Sequence, residues 1–192
     1  AEEVLWIFED ARPDAGLVIF TAELLSKAGR KDDAESHLWR LFKKQPSFDL
    51  FTRLCEIGGK AARDQALTFL VFTPANAARN FWDSPTNLLI RIWIHEKMFD
   101  AAWAAVRKYG ASAGLTDELA GQCEGSHPAE VLDVYTMRVD HLVNTGGNSN
   151  YEQAAKLVAR MANLRATGEH VAYVLALKKR FERRRNFIKM LG

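Results

Sequence analysis

The chain has 192 residues, of which 48% are hydrophobic and 26% are charged, and its formal net charge is +2. This composition is typical of a soluble globular protein of one or two domains, and the small net charge argues against a general polyanion binder. No run of residues is long and apolar enough for a membrane span, and residues 1–8 lack the basic start of a signal peptide, so we expect none. We therefore predict a cytoplasmic protein that does not associate with a membrane.

Helical spacing of apolar residues accounts for nearly the whole sequence. In chain order, the predicted helices cover residues 1–10, 14–28, 34–42, 47–57, 62–72, 87–98, 99–110, 115–122, 129–143, 151–164 and 171–191. Residue types that start or end helices separate them, among them the caps Asp14, Ser47 and Ser84 and the pair Gly58–Gly59. The sequence therefore predicts an all-α protein.

The longest irregular stretch runs from residue 73 to residue 85 and contains two prolines near its ends. It is the best candidate for a junction between subdomains. Phe81 and Trp82 lie within it. They are either core residues between helices or an exposed anchor for a protein partner, since aromatic residues often dominate binding surfaces.

An internal repeat indicates the architecture. Alanines at related positions of successive helices, Ala34, Ala66, Ala101, Ala129 and Ala154, are 32, 35, 28 and 25 residues apart. Helix pairs that repeat at about this period form solenoids such as tetratricopeptide repeats. The spacing is uneven, so we predict stacked antiparallel hairpins in an irregular, tetratricopeptide-like solenoid that forms one domain over residues 1–192.

The last predicted hairpin, residues 149–192, is the most strongly patterned part of the chain. Ser149 and Glu152 have the spacing of a capping box at its first helix. Its second helix carries a candidate basic patch of seven residues: Lys178, Lys179, Arg180, Arg183, Arg184, Arg185 and Lys189. With Glu182 as the only acid among them, this helix end has a charge of +6. The patch is either a solvated face that complements the helix dipole or a site for phosphates or an acidic partner.

Residues that could carry catalysis are scattered. No two of the five histidines are three or four positions apart, and Cys55 and Cys123 are isolated. Neither Gly–Gly pair has the neighbours of a phosphate-binding loop. We therefore predict no catalytic residue, no metal site and no cofactor, and we expect that the protein is not an enzyme.

Three segments of the second half of the chain form a characteristic pattern: His127–Glu130, Tyr151–Ala155 and Tyr173–Leu191. In this pattern the chain resembles the helical C-terminal region of bacterial SWIM-type zinc finger proteins. The zinc motif of that family, C-x-C followed by C-x-H, has no counterpart around Cys55 or Cys123. The resemblance implies an accessory helical module of a larger protein whose zinc finger lies upstream, and that family's finger is thought to contact DNA or protein.

Two functional hypotheses follow. The first is a non-catalytic scaffold that binds a protein partner in a groove lined by successive first or second helices. The alternative is a nucleic-acid-binding accessory module that uses the basic residues from Lys178 to Lys189. The identity of the partner, the face that binds it and the oligomeric state do not follow from the sequence.

Overall fold

The computed structural model describes residues 14–72 and 84–192, and within these ranges every regular element is a helix. The predicted all-α class is therefore confirmed. The chain divides into two compact units, residues 1–112 and residues 113–192. The predicted junction at residues 73–85 lies mostly outside the described residues, and the division between the units follows Ser112. None of the described helices has the length and apolar content needed to cross a lipid bilayer.

The described residues contain ten α-helices and one short 3₁₀ turn. The first unit contains α1 (Ala15–Lys27), α2 (Lys31–Lys44), α3 (Phe48–Phe72), α4 (Pro85–His95) and α5 (Phe99–Tyr109). The second contains α6 (Ala113–Gln122), α7 (Pro128–Thr145), α8 (Asn148–Met161), the 3₁₀ turn (Ala162–Leu164), α9 (Thr167–Arg180) and α10 (Arg185–Met190). Most of the predicted helices correspond to one of these elements.

Side-chain caps start three helices of the first unit. At the start of α3, Ser47 Oγ accepts a hydrogen bond from the backbone N–H of Leu50 at 3.3 Å. Asp14 Oδ1 accepts a hydrogen bond from the backbone N–H of Leu17 at 2.9 Å. Ser84 Oγ accepts one from the N–H of Asn87 at 3.1 Å, and Pro85 occupies the first turn. Each cap satisfies a backbone donor that has no partner within its own helix.

Helix α3 consists of two helical segments that meet at a kink at Gly59. This glycine has φ +61° and ψ −145°, a conformation that residues with a side chain rarely adopt. The sequence predicts a helix end at this glycine pair and a new helix that contains Ala62. The bend divides α3 into a first segment, residues 48–58, and a second segment, residues 60–72.

The core of the first unit is formed by one face of each successive helix. Neighbouring helices in the chain also make the main contacts in space: α1 with α2, α2 with α3, α3 with α4, and α4 with α5. Its fully buried side chains include Val18, Ala34, Leu41, Phe42, Leu54, Ala62, Ala66 and Ile92. Burying such apolar side chains stabilises the fold by roughly 1.5–3 kcal/mol for each large one.

The turn between α1 and α2 is a Schellman motif. The N–H of Gly29 donates to the carbonyl of Ser26 at 3.0 Å, and the N–H of Arg30 donates to the carbonyl of Leu25 at 2.9 Å. Gly29 has φ +80°, the left-handed conformation that this motif requires. The next helix begins directly after Arg30, so α1 and α2 form a tight hairpin.

The turn between α4 and α5 has the same geometry without a glycine. The N–H of Lys97 donates to the carbonyl of Ile94 at 3.1 Å, and the N–H of Met98 donates to the carbonyl of Trp93 at 2.8 Å. Lys97 has φ +59° and is the only non-glycine residue with positive φ in the described ranges. The two hairpins of the first unit therefore share one turn geometry.

In the second unit, α8 begins earlier than predicted. Its first residue is Asn148, with Gly147 at the N-cap and no side-chain cap. Gly146 and Gly147 both have positive φ and turn the chain directly from α7 into α8. Ser149 therefore lies inside the helix, and the predicted capping box is wrong.

The last predicted helix is broken. Helix α9 ends at Arg180, the chain turns through Phe181–Arg184, and the short helix α10 follows. Phe187 of α10 is fully buried, with its ring centroid 5.9 Å from that of Tyr151 and 6.1 Å from that of Phe181. Burying this ring against α8 requires a change of direction that a single straight helix cannot make.

Candidate functional site

The predicted basic patch follows the end of α9, the turn and α10, so its seven residues do not lie on one helix. Six of them are exposed: Lys179, Arg180, Arg183, Arg184, Arg185 and Lys189. The remaining one, Lys178, is half-buried and donates to the backbone carbonyl of Gly192. The patch is therefore a curved cationic surface in the second unit.

Two arginines of this surface are held by α7. Arg180 forms an ion pair with Asp140, and Arg184 donates to the backbone carbonyl of Asn144 at 3.4 Å. A depression of about 410 Å³ lies here, lined also by Phe181, Glu182 and Arg183. Asp140 already neutralises Arg180. A negatively charged ligand would therefore interact mainly with the other exposed cations of this surface.

The first unit contains a larger groove that the sequence did not predict. It has a volume of about 920 Å³ and lies between α2 and the second segment of α3. Its lining consists of Ser36, Trp39, Arg40, Lys43 and Lys44 from α2 and of Asp64, Gln65, Thr68 and Phe69 from α3. We call it the α2–α3 groove.

Aromatic contacts fix Trp39 in the wall of the α2–α3 groove. Its ring meets that of buried Phe42 edge-on at a centroid distance of 5.7 Å, and Phe42 contacts Phe69 at 5.9 Å. The indole Nε1 donates to Glu35 Oε1 at 3.3 Å. Lys43 Nζ lies 5.8 Å from the centre of the Trp39 ring, within the range of a cation–π interaction. Trp39 is thus half-buried and contacts Phe42, Lys43 and Glu35.

The charge of the α2–α3 groove is mostly positive. Arg40, Lys43 and Lys44 are exposed on α2, and Asp64 is the one acid in the lining. Positions 36, 40, 43 and 44 fall on one side of a helix, beside Trp39. A helical projection of α2 alone could have shown these cations next to the tryptophan, but not the opposite wall, which comes from α3.

The other predicted candidate, Phe81 with Trp82, lies outside the described residues. Among the residues that the structure describes, no group of three or more histidine, cysteine or acidic side chains could hold a metal ion. Both cysteines are free thiols. Cys123 is buried and donates to the carbonyl of Leu119 at 3.0 Å. Burial raises the pKa of the Cys55 thiol, which keeps it protonated and unreactive near neutral pH.

Two histidines of the second unit, His127 and His170, have different surroundings. The Ser126 hydroxyl lies 3.3 Å from the carbonyl of Cys123 and 2.9 Å from Nδ1 of His127, in the turn before α7. Desolvation, with a smaller effect from nearby Arg165, lowers the pKa of His170. Nδ1 of His170 is buried and makes no hydrogen bond with another described residue.

Comparisons of the chain with protein-family models, with curated proteins and with solved structures find no match. The resemblance to SWIM-type zinc finger proteins therefore stays a prediction that rests on the residues given above.

Proposed function

We propose that this chain is a non-catalytic helical-repeat module that binds a segment of a protein partner in the α2–α3 groove. The observation that carries the proposal is the position of the groove between α2 and the second segment of α3. Helix α2 is the second helix of the α1–α2 hairpin, and the second segment of α3 follows the kink at Gly59. Helical-repeat proteins use such surfaces, lined by equivalent helices, to bind extended or helical segments.

The shared turn geometry supports the tetratricopeptide-like part of the proposal. The Schellman turns at Gly29 and Lys97 are followed at the same distance by Ala34 and Ala102, which are both fully buried. Of the repeat alanines predicted from the sequence, Ala101 is half-buried and Ala129 is exposed. Ala34 and Ala102 are 68 residues apart, about twice the 34-residue tetratricopeptide period. A small residue at this position lets the two helices of a hairpin approach closely.

The lining of the α2–α3 groove favours an acidic segment with one large apolar side chain. Trp39 and Phe69 offer aromatic surface, and Arg40, Lys43 and Lys44 supply positive charge along one wall. A half-buried, fixed aromatic ring and adjacent cations match the composition of interface hot spots. In a larger protein of the SWIM type, such a module would act as an accessory to an upstream zinc finger.

A peptide-display experiment tests this proposal. A random library of peptides of about 12 residues, long enough to span a groove of this size, is selected on the intact chain. Enriched peptides are then measured by calorimetry against the chain and its variants. We expect sequences rich in Asp and Glu that contain an aromatic or aliphatic residue, and we expect binding to weaken at least tenfold in Trp39→Ala and in Lys43→Glu/Lys44→Glu.

A matched control distinguishes the α2–α3 groove from general charge attraction. The double variant Lys60→Glu/Arg91→Glu makes the same change in charge at two exposed positions of the first unit that do not line the groove. It should bind the selected peptides as the unaltered chain does. If both double variants lose binding equally, or if no acidic sequences are enriched, the groove is not the binding site.

The cationic surface of the second unit supports the alternative, a nucleic-acid-binding accessory module. Six exposed cations follow one another over eleven residues with one glutamate among them. Fluorescence anisotropy with labelled single- and double-stranded DNA and RNA, at low and physiological salt, tests this alternative. Affinity that falls steeply with salt, and falls again in Arg183→Ser/Arg184→Ser/Arg185→Ser, would support it. No binding at low salt would exclude it.

A further inference from the structure

Helix α9 carries an apolar stripe on its outward face. Gly168, Val171, Ala172, Leu175 and Ala176 are spaced as successive turns of one helix face, and all five are exposed. The exposed fractions of Val171 and Leu175 are 53% and 61%. Lys179 continues this face at the end of α9, and Arg183 lies in the turn that follows the helix. We call Gly168–Ala176 on this face the α9 stripe.

The opposite side of α9 holds it to the second unit. Leu177 is the one buried residue of this helix. The ring of Tyr173 lies under the guanidinium of Arg165 at 3.9 Å, and Arg180 is paired with Asp140 of α7. These contacts orient the helix and leave the α9 stripe in contact with solvent.

We propose that the α9 stripe docks an amphipathic helix of a partner protein whose apolar face is flanked by carboxylates. The periodicity of three and four residues matches the face of another helix, since helices pack by fitting side-chain ridges into grooves. The alanines and the glycine allow the two backbones to approach closely, while Val171 and Leu175 supply the apolar side chains that the partner would bury.

The charge around the α9 stripe identifies the partner as acidic. Residues 178–189 carry a formal charge of +6, of which Arg180 is paired with Asp140. Lys179 lies on α9 at the end of the stripe, and Arg183 lies in the turn that follows. A partner helix with carboxylates at this end would gain attraction and faster association. A second copy of this chain would bring its own excess of positive charge to the contact, which disfavours self-association through α9. This surface belongs to the second unit, whereas the α2–α3 groove belongs to the first.

A designed pair of peptides tests the proposal with the intact chain. The first is a helical peptide of about 18 residues, or five turns, with leucine and alanine along one face and glutamates at both ends of that face. The second has lysines in place of the glutamates and is otherwise identical. Binding is measured by fluorescence anisotropy, and the contact is mapped from the methyl signals of Val171 and Leu175 by NMR.

We expect the glutamate peptide to bind at least tenfold more tightly than the lysine peptide. Leu175→Glu should lower the affinity for the glutamate peptide at least tenfold. Lys179→Glu/Arg183→Glu should make the lysine peptide bind more tightly than the glutamate peptide. Leu24→Glu, a change at a leucine of α1 with an exposed fraction of 51%, is the matched control and should change neither affinity. Circular dichroism confirms that each variant keeps its helix content.

Three outcomes would overturn the proposal. One is the absence of binding by either peptide. Another is equal binding of the glutamate peptide to the chain and to Leu175→Glu. The third is a concentration-dependent dimer of the chain alone, seen by analytical ultracentrifugation and lost in Leu175→Glu, because it would assign the α9 stripe to a second copy.

Discussion

Arg63 and Glu96 form a two-pronged ion pair that ties the second segment of α3 to the turn after α4. Arg63 Nε donates to Glu96 Oε1 at 2.6 Å, and Nη2 donates to Oε2 at 2.5 Å. The side chains are 28% and 19% exposed, so water screens the pair only in part. The carboxylate raises the pKa of the guanidinium further above its usual range. The pair connects residues 33 positions apart on two sides of the 73–83 stretch.

Removing one partner of this pair should destabilise the first unit. We expect Glu96→Gln to lower the free energy of unfolding by about 1–2 kcal/mol, because the partly buried Arg63 loses the carboxylate that binds it at two points and keeps only its pair with exposed Asp64. The matched control is Asp64→Asn, since Asp64 pairs with the same arginine at 2.7 Å but is 54% exposed. That change should cost less than about 0.5 kcal/mol.

Tryptophan fluorescence provides the measurement. All five tryptophans lie within residues 1–112, so their emission during urea titration follows the first unit. A double-mutant cycle with Arg63→Gln should give a coupling energy of about 1 kcal/mol. If Glu96→Gln and Asp64→Asn lower the free energy of unfolding equally, the Arg63–Glu96 pair contributes no more to stability than an exposed ion pair.

Lys97→Gly should stabilise the first unit by about 0.5–1 kcal/mol. Lys97 holds the left-handed conformation that Gly29 holds in the equivalent turn, and a residue with a side chain pays a steric cost there. The gain is reduced because glycine also makes the unfolded chain more flexible. Gly29→Ala is the complementary change and should destabilise by a similar amount. The same fluorescence titration measures both, and a loss of stability in Lys97→Gly would contradict this account.

Features set by local chemistry could be predicted from the sequence. The helix starts at Asp14 and Ser84 and the helix end at Gly58–Gly59 each depend on one or two residues and their close neighbours, and the structure has a cap at each start and a non-helical Gly59. The buried side of α8 is confirmed as well, since Tyr151 and Val158 lie on the predicted face. Local signals of this kind do not depend on which other helix packs nearby.

Features created by contacts between distant segments could not be predicted. The α2–α3 groove exists because Trp39 and Phe69 are brought together by the packing of two helices. The turn at Phe181–Arg184 has neither glycine nor proline, so nothing in the sequence marks it, and the docking of Phe187 against α8 imposes it. Lys97 likewise gives no signal for a helix end, because its conformation is set by the hairpin.

The stability of the second unit depends on pH in the alkaline range because of the Tyr135 hydroxyl. This hydroxyl donates to Glu124 Oε1 at 2.6 Å, and Arg160 pairs with the same carboxylate oxygen at 2.8 Å. Burial, followed by this hydrogen bond, raises the pKa of Tyr135 to about 12. Because the folded protein holds this proton more tightly than the unfolded chain, the stabilisation is complete below about pH 10 and is lost as the pH rises towards 12.

Tyr135→Phe tests this dependence. We expect it to destabilise the second unit by about 1–2 kcal/mol near neutral pH, because Glu124 loses a donor. In a titration followed by tyrosinate absorbance, the variant should lack one ionisation with a midpoint near pH 12. The control Tyr109→Phe removes an exposed ring of the first unit and should leave that ionisation in place. Retention of the pH 12 ionisation in Tyr135→Phe would show that it belongs to another group.

Phe187→Ala tests whether the short helix α10 is anchored by its buried ring. The sequence pattern placed Ile188 and Leu191 on the buried stripe of one long helix, whereas the structure buries Phe187 completely and leaves Ile188 half-buried. We therefore expect Phe187→Ala to lower the free energy of unfolding by about 3–4 kcal/mol, because apolar burial is lost and a cavity forms beside Tyr151. Ile188→Ala should lower it by about 1 kcal/mol. Urea unfolding followed by the near-ultraviolet circular dichroism of tyrosine, together with hydrogen exchange of residues 185–190, measures both. A larger effect of Ile188→Ala would favour the continuous helix, because an unbroken α9 would carry residue 188 on its inner face and residue 187 beside it.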